Sequence, residues 1–539
     1  MVQPSGNTFQ TGSWRASIQL AAIILPVALA IRLYLILTCT IVSRDTVTFV
    51  RYAQYLGQSP VAAMRANDQH PLYPTLVLGL HQVRRMLGAA DGPASWALSA
   101  QIVACIGGLA CVVAVYLLAR QLFDERVACL AALFMVFLPE GCQYSADGLS
   151  DMPHLAIYLF ALTAAVRGFD RASIGYLAAA GLLSGLAYLT RPEGLGVAAV
   201  TCLALVRFPR TWSFRKRMPV AFCTLAAFLV MAGPYSVVTG KVVPKKSLKK
   251  LFHLEASLRA SVDGPPAASP PVQVASLAGS ADSTSLIEVL PKFIEKWARS
   301  LRVTYLLLFV GALLLPLAHR PSGVSIALLT AAAGVQTVAV LSVATSHGYF
   351  SLRHMMVLAA LCLPHAAAAG DYLIGLMRDR VRWLKGPARA PLVLLAVVVG
   401  PTLPWMLEPI HADLAYYERV IDYIRKNYPR DAGVLTTRMR IPFFADHPYR
   451  IWPSTGDVSV LLGYIQSDTK LVVLDESRLK RRNPRFFEEL ERAAIETGLL
   501  KLVHEVPATG SAHPTRILIY EVVSRTDRSR ALVPASDGR

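Results

Sequence analysis

The sequence predicts an all-α bundle that crosses a membrane many times, followed by a small α/β domain. Three observations carry this expectation. Of the 539 residues, 54% are hydrophobic and 17% charged, and the mean hydropathy is +0.44, whereas a soluble domain is about 45–50% apolar and about 25% charged. The apolar residues gather in recurring runs of roughly 17–25, the length that crosses a hydrocarbon core. After residue 410 these runs stop and shorter, amphipathic segments replace them.

The expected spans are 18–42, 95–118, 127–145, 149–166, 174–190, 194–206, 219–238, 302–318, 323–344, 355–373 and 391–407. That is about eleven crossings, with the third to sixth short enough to tilt or to pack around a cavity. The first run exceeds the apolar core of a signal peptide, about 7–15 residues, and no small-residue cleavage site follows it, so it is read as a retained span.

Orientation follows from lysine and arginine placement in short loops. With a cytoplasmic N-terminus, the inside loops carry Arg120 and Arg126; Arg167 and Arg171; Arg207, Arg210, Arg215, Lys216 and Arg217; Arg320; and Arg378, Arg380, Arg382, Lys385 and Arg389. The short outside connections carry only Arg191 and Arg353. Two outside loops are long, 43–94 and 239–301. The second holds Lys245, Lys246, Lys249 and Lys250 against the bias, but long loops report orientation poorly. Its 263–285 stretch, rich in Pro, Ala, Ser and Gly, reads as flexible. The net charge of +19 therefore describes membrane topology rather than a nucleic-acid surface. The eight cysteines lie almost entirely in apolar runs, with no disulfide framework and no zinc-type spacing.

An odd number of spans leaves residues 411–525 outside, beyond a transmembrane domain over 1–410. Tyr416–Lys426 and Arg485–Leu500 read as helices, and Gly433–Thr437, Lys470–Leu474 and Arg516–Val523 as strands. Residues 526–539 read as a disordered tail.

Asp45 follows the first span at once, and Phe49, Ala53 and Leu56 come after it at helical spacing. It either caps that interfacial helix or serves as a carboxylate whose pKa, raised at the interface, lets it accept a proton. At this point the segments SRDTVTFVRYAQYL, QHPLYPTLVLGL, YLTRPEGLGV and SLRHMMVLAALCLPHAAAAG, taken in order, resemble the GT-C glycosyltransferases. The similarity is to the bacterial branch related to protein mannosyltransferases and aminoarabinose transferases, over roughly residues 15–410.

The resemblance implies a transferase that takes a sugar from a polyprenyl-phosphate donor on the outer face, with inversion, and uses Asp45 as the catalytic carboxylate. Protein mannosyltransferases carry an Asp-Glu pair there, whereas this chain has Arg44-Asp45-Thr46, which leaves the second acid open. Candidates for it are Asp68 and Asp151. Asp151 lies with Glu140 and Asp147 in a stretch that either completes the site, holds a divalent cation or caps a helix. Arg353, His354 and Arg191, at the outer ends of spans, and Arg32, deep in the first span, are candidates to meet the donor phosphate. For Arg32 the alternative is an acidic partner at the end of a neighbouring span. Arg44, His70 and Glu193 complete the candidate cavity; Glu193 is also placed to pair with Arg191. The acceptor is a lipid, a glycan or a protein. A second function class, a transporter or flippase of lipid-linked sugars, needs its charged groups near the midplane rather than at the outer face.

The topology is directly testable. Cysteines placed at Arg215 and Arg382 are expected to resist an impermeant thiol reagent in intact cells, and one at Asp446 to react. The opposite pattern overturns the outward-facing site.

Overall fold

The computed structural model describes residues 20–208, 212–240, 286–317, 321–347, 349–452, 456–481, 483–508 and 516–523. Residues 18 and 19 of the first expected span, the loop segment 241–285 with its four lysines and flexible stretch, and the tail 526–539 lie outside the described residues.

A chain in lipid must satisfy its backbone groups internally, and helices do so. In chain order they are α1 (Leu25–Leu37), α2 (Arg44–Gln58), α3 (Pro60–Ala66), α4 (Leu72–Met86), α5 (Pro93–Leu122), α6 (Glu125–Phe137), α7 (Pro139–Ala146), α8 (Asp151–Asp170), α9 (Ile174–Thr190) and α10 (Leu195–Leu205). There follow α11 (Phe214–Thr239), α12 (Leu286–Leu314), α13 (Gly323–His347), α14 (Met356–Arg380), α15 (Arg389–Val399) and the one-turn α16 (Leu403–Leu407). Local chemistry sets their ends. Pro93 and Pro139 open α5 and α7 where a missing N–H costs nothing. Asp124 accepts from the N–H groups of Arg126 and Val127 and caps α6.

Every expected span coincides with a helix or a helix pair, and the chain is a multi-pass membrane protein. The crossing count stands on different footing. Among the described residues, seven helices are long and apolar enough to cross, or eight if α6 and α7, bent by 59°, form one broken span. Three of the eleven expected segments fall on helices too short to pass that test, Ala22–Leu37, Ile174–Thr190 and Pro192–Leu205. The span expected from residue 302 starts at a break within α12, where Arg302 has φ 52° and ψ 157°.

Burial sorts the helices into layers. The apolar stretches of α8, α14 and α5 are 83%, 78% and 67% buried, whereas those of α11, α12, α13 and the run beginning at α15 are 28–33% buried. The first group forms the centre. The second group turns Phe222, Leu229, Val230, Leu307 and Leu313 outward, an apolar surface suited to lipid contact. Between α9 and α11 glycine permits close approach: a Cβ on Gly181 would stand 2.1 Å from the Thr224 carbonyl oxygen. Small residues of this kind let membrane helices pack backbone to backbone.

The C-terminal domain adds α17 (Tyr416–Asn427), β1 (Gly433–Thr436), α18 (Arg440–Ala445), β2 (Tyr449–Ile451), α19 (Val458–Gly463), β3 (Thr469–Asp475), α20 (Glu476–Lys480), α21 (Phe486–Thr497), β4 (Leu500–Pro507) and β5 (Arg516–Val522). The strand order is β2-β1-β3-β5-β4. The β1–β2 and β1–β3 pairs are parallel, and β3–β5 and β4–β5 antiparallel. Both helices and all three strands expected here are present; β2 and β4 escaped the sequence reading, and Leu500, expected to end a helix, begins β4.

The domain is clamped to the first loop. Ile41 joins the domain's apolar cluster with Tyr417, Val420 and Ile441. Met439 and Phe443 join the loop's cluster with Val47, Phe49 and Tyr73. The Arg51 guanidinium lies over the rings of Phe443 and Tyr449, at 5.4 Å and 5.0 Å. As expected, α2 buries Phe49, Ala53 and Leu56, and it does so against protein.

The α9–α11 contact gives a test of packing. Gly181→Leu forces the two helices apart and is expected to cost about 1–3 kcal/mol, read as a lower unfolding midpoint in detergent. Gly175→Ala, whose added Cβ meets nothing nearer than 3.9 Å, is expected to leave the midpoint in place.

Candidate active site

The start of α2 fixes the central carboxylate. Ser43, not Asp45, is the helix cap: its hydroxyl accepts from the Thr46 N–H at 3.3 Å. The turn is anchored again from the 140–151 stretch. Asp147 accepts from the Ser43 N–H at 2.7 Å, and the Thr46 hydroxyl donates to the Asp147 carbonyl at 2.6 Å. Gly148, at φ 76°, brings that backbone so close that a Cβ would strike the Thr46 methyl at 2.7 Å. Tyr73, fully buried in the His-Pro-Leu-Tyr-Pro segment, donates toward the carbonyls of Gly148 and Ala100. Capping is thus taken over by Ser43, and the Asp45 side chain is left for another contact.

That contact is Arg353. The two side chains form an ion pair, 41% and 29% exposed respectively. Arg353 stands in a short 3-10 turn, Leu352–Met355, that leads into α14. His354 helps hold this turn, its Nδ1 meeting the Ser351 N–H and hydroxyl at 3.2 Å and 3.0 Å. The Nε of Arg353 is buried with no hydrogen-bond partner among the described residues.

Behind this pair lies a narrow cavity bordered by Asp151, His154, Arg191, Gln336, Arg353 and His354. Asp151 is buried and ion-paired with Arg191, which also reaches Glu193 at 3.6 Å. Burial works against the charge on Arg191, but the two carboxylates outweigh it and hold its pKa above the ordinary guanidinium value. His154 was missed by the sequence reading, although an ionisable residue three positions after Asp151 in an apolar helix was a signal. Its Nδ1 faces the Ala187 carbonyl at 3.1 Å and the Thr190 hydroxyl at 2.9 Å. The carbonyl calls for a proton on Nδ1, and in that tautomer His154 presents a lone pair at Nε2, which has no partner among the described residues. Gln336, also missed, donates to the His354 carbonyl at 3.3 Å.

The other candidates separate from this group. Arg32 is fully buried, donates from Nη1 to the Ala28 carbonyl at 3.0 Å, and forms no ion pair among the described residues. The acidic partner expected for it is absent among the described residues, because the acids of the 140–151 stretch are engaged elsewhere. Glu140 pairs with Arg302 at 2.7 Å, and Asp147 takes the Ser43 N–H and faces His411 at 3.5 Å. The same dispersal separates the three acids; among the described residues no three His, Cys, Asp or Glu side chains gather around a metal-sized position. His70 is buried with its ring against Tyr188 at 4.8 Å and Tyr235 at 5.3 Å. Asp68 lies within electrostatic reach of Tyr235. These two form a separate aromatic corner. Arg44 is exposed and borders a different pocket, with Arg438 and Arg440.

With this geometry in place, the chain is similar to known proteins as follows. Residues 94–236 match the family model described as dolichyl-phosphate-mannose-protein mannosyltransferase. No curated sequence matches the chain. Among solved structures it is similar to ArnT from Cupriavidus metallidurans bound to undecaprenyl phosphate, with 15% identity and a TM-score of 0.57 over 95% of this chain and 99% of that one. It is also similar to the oligosaccharyltransferase AglB from Archaeoglobus fulgidus in complex with an inhibitory peptide and a dolichol-phosphate, with 14% identity and a TM-score of 0.54 over 98% and 76% of the two chains. The fold is GT-C, as the resemblance implied.

The cap and the carboxylate are separable by stability. Ser43→Ala is expected to destabilise the chain by about 1 kcal/mol through the lost cap. Asp45→Asn keeps the cap and loses only a half-exposed ion pair, worth about 0–1 kcal/mol, so its unfolding midpoint is expected to stay near that of the native chain. A larger loss in Asp45→Asn than in Ser43→Ala contradicts this division.

Proposed function

We propose that this GT-C-folded membrane chain is a glycosyltransferase that moves a hexosyl or pentosyl unit from a polyprenyl-phosphate donor to an acceptor on the extracytoplasmic face. The reading is carried by one observation: the Asp45–Arg353 ion pair at the mouth of a cavity bearing Arg191 and His154. Two similar structures support the donor class, one bound to undecaprenyl phosphate and one in complex with dolichol-phosphate. The orientation rests on the loop charges, with residues 1–410 as the transmembrane catalytic domain and 411–525 as an outside domain.

The reaction is a displacement at the anomeric carbon. The acceptor oxygen forms a bond to that carbon while the bond to the phosphate oxygen breaks, and its electron pair leaves with the polyprenyl phosphate. Asp45 takes the proton released by the acceptor. Arg353 meets the charge growing on the phosphate, and no described residue engages its Nε. The neutral His154 offers Nε2 as an acceptor for a sugar hydroxyl. Arg191, already held by Asp151 and Glu193, gives the cavity a fixed positive wall.

The ion pair also couples the two substrates. A carboxylate locked to a guanidinium is not free to reach an acceptor hydroxyl. When the donor phosphate draws the guanidinium toward itself, Asp45 is released to act. Donor binding and base activation are then one event, which keeps Asp45 from acting while the donor site is empty.

Transfer of labelled sugar from a polyprenyl-phosphate donor by the purified chain tests the assignment. Asp45→Asn is expected to lose roughly 10²–10⁴-fold in turnover, and near-native transfer sinks the role of Asp45. Arg353→Ala is expected to lose about 2–4 kcal/mol of transition-state stabilisation. Arg353→Lys recovers only part, because a point charge lacks the planar fork. Full activity in Arg353→Ala reduces that residue to a membrane anchor.

A further inference from the structure

Arg44 and Asp45 are neighbours on the first turn of α2, so their side chains leave the helix about 100° apart. Asp45 turns to Arg353 and the cavity behind it. Arg44 turns to a second pocket, made with the C-terminal domain, whose wall includes Thr437, Arg438, Arg440 and Trp452. Three arginines thus line one small concavity.

Only one of the three is neutralised. Arg438 is bound to the buried Asp475 at 2.6 Å, and the Ser477 hydroxyl holds the other Asp475 oxygen at 2.6 Å. Arg440 is steered by the Tyr417 ring, 5.3 Å from its guanidinium carbon, and neither it nor Arg44 has a carboxylate within ion-pair distance among the described residues. Like charges drawn to one concavity repel unless an anion joins them. Guanidinium forks suit a phosphoryl group best, through paired N–H donors.

We infer that the pocket of Arg44, Arg438 and Arg440 is an acceptor-side subsite that binds a phosphoryl group. The inference rests on the transferase reading for the word acceptor, and on the charge arrangement alone for the phosphoryl group. A base must stand between the two substrates it serves. Asp45 has Arg353 and the donor cavity on one side and this pocket on the other, so the acceptor reaches it along the C-terminal domain. The substrate class that follows is a phosphorylated one, either a soluble phosphate ester or a lipid with a phosphate headgroup.

The test uses the full chain in phosphatidylcholine nanodiscs, with labelled inorganic phosphate as the probe. The background is Arg353→Ala, which removes the guanidinium that meets the donor phosphate. Saturable phosphate binding is expected, weakened about tenfold or more in Arg44→Gln/Arg440→Gln. Undecaprenyl phosphate binding, measured without the Arg353 change, is expected to survive that double substitution and so reports an intact fold. Adding phosphatidic acid to the discs separates the sources: displacement of the probe assigns the pocket to a lipid headgroup, and retained binding assigns it to a soluble phosphate. Phosphate binding that is absent, or that ignores both arginines, overturns the subsite. If the chain binds phosphate here but transfers no sugar, the subsite stands and the transferase reading falls. If it transfers sugar while phosphate binding ignores the arginines, only the subsite falls.

Discussion

The contact between Asp45 and Arg353 joins two parts of the chain that nothing in the sequence links: the first turn of the first loop and the turn that opens α14. Much of the surrounding structure serves to hold those two turns at the right distance. Ser43 caps one and the Ser351–His354 pair caps the other. Asp147 and Tyr73 pin the first turn to the 140–151 stretch. As a source of stability such a half-exposed pair contributes little. On the proposed reading, its value lies in keeping a carboxylate and a guanidinium poised where a substrate anion can come between them.

Charge is arranged around this pair in two directions. Toward the bundle, Asp151, Arg191 and Glu193 form a chain of alternating sign that leaves the cavity wall fixed, with His154 at its edge. Toward the C-terminal domain, positive charge is left partly unmatched at Arg44 and Arg440. The domain is positioned for this by apolar contact: Met439 and Phe443 pack beside Val47 and Phe49, and Arg440 follows from the same short helix. The fold therefore brings the cavity behind Arg353 and the sheet domain to two neighbouring faces of a single helix turn.

Much of this was legible in the sequence because the governing signals are local. Apolar length marked the helices, loop arginines gave an orientation to test, and the apolar spacing of Phe49, Ala53 and Leu56 gave α2 its buried side. Asp45, Arg353, His354, Arg191, Asp151 and Glu193 were singled out together, and the structure brings them into one neighbourhood. What escaped depended on tertiary contact. The cap belonged to Ser43 because Asp147, a hundred residues away, fixes the backbone there. The acids at 140–151 looked like a cluster in sequence, yet a bent helix pair sends them to Arg302, Ser43 and Arg191. Arg32 drew attention by its depth, but its surroundings are cysteines, Gly108 and Ser145 rather than an acid. The short strands β2 and β4 carry too little pattern to be found without their partners.

The central claim is that Asp45 and Arg353 act as one unit, and a double-mutant cycle on sugar transfer measures that directly. The rates of Asp45→Asn, Arg353→Gln and the double variant are compared with the native chain on the same polyprenyl-phosphate donor. Residues that act together lose their effects non-additively. The account predicts a double variant about as slow as the slower single. Losses that multiply as independent factors would show two unrelated residues and contradict it.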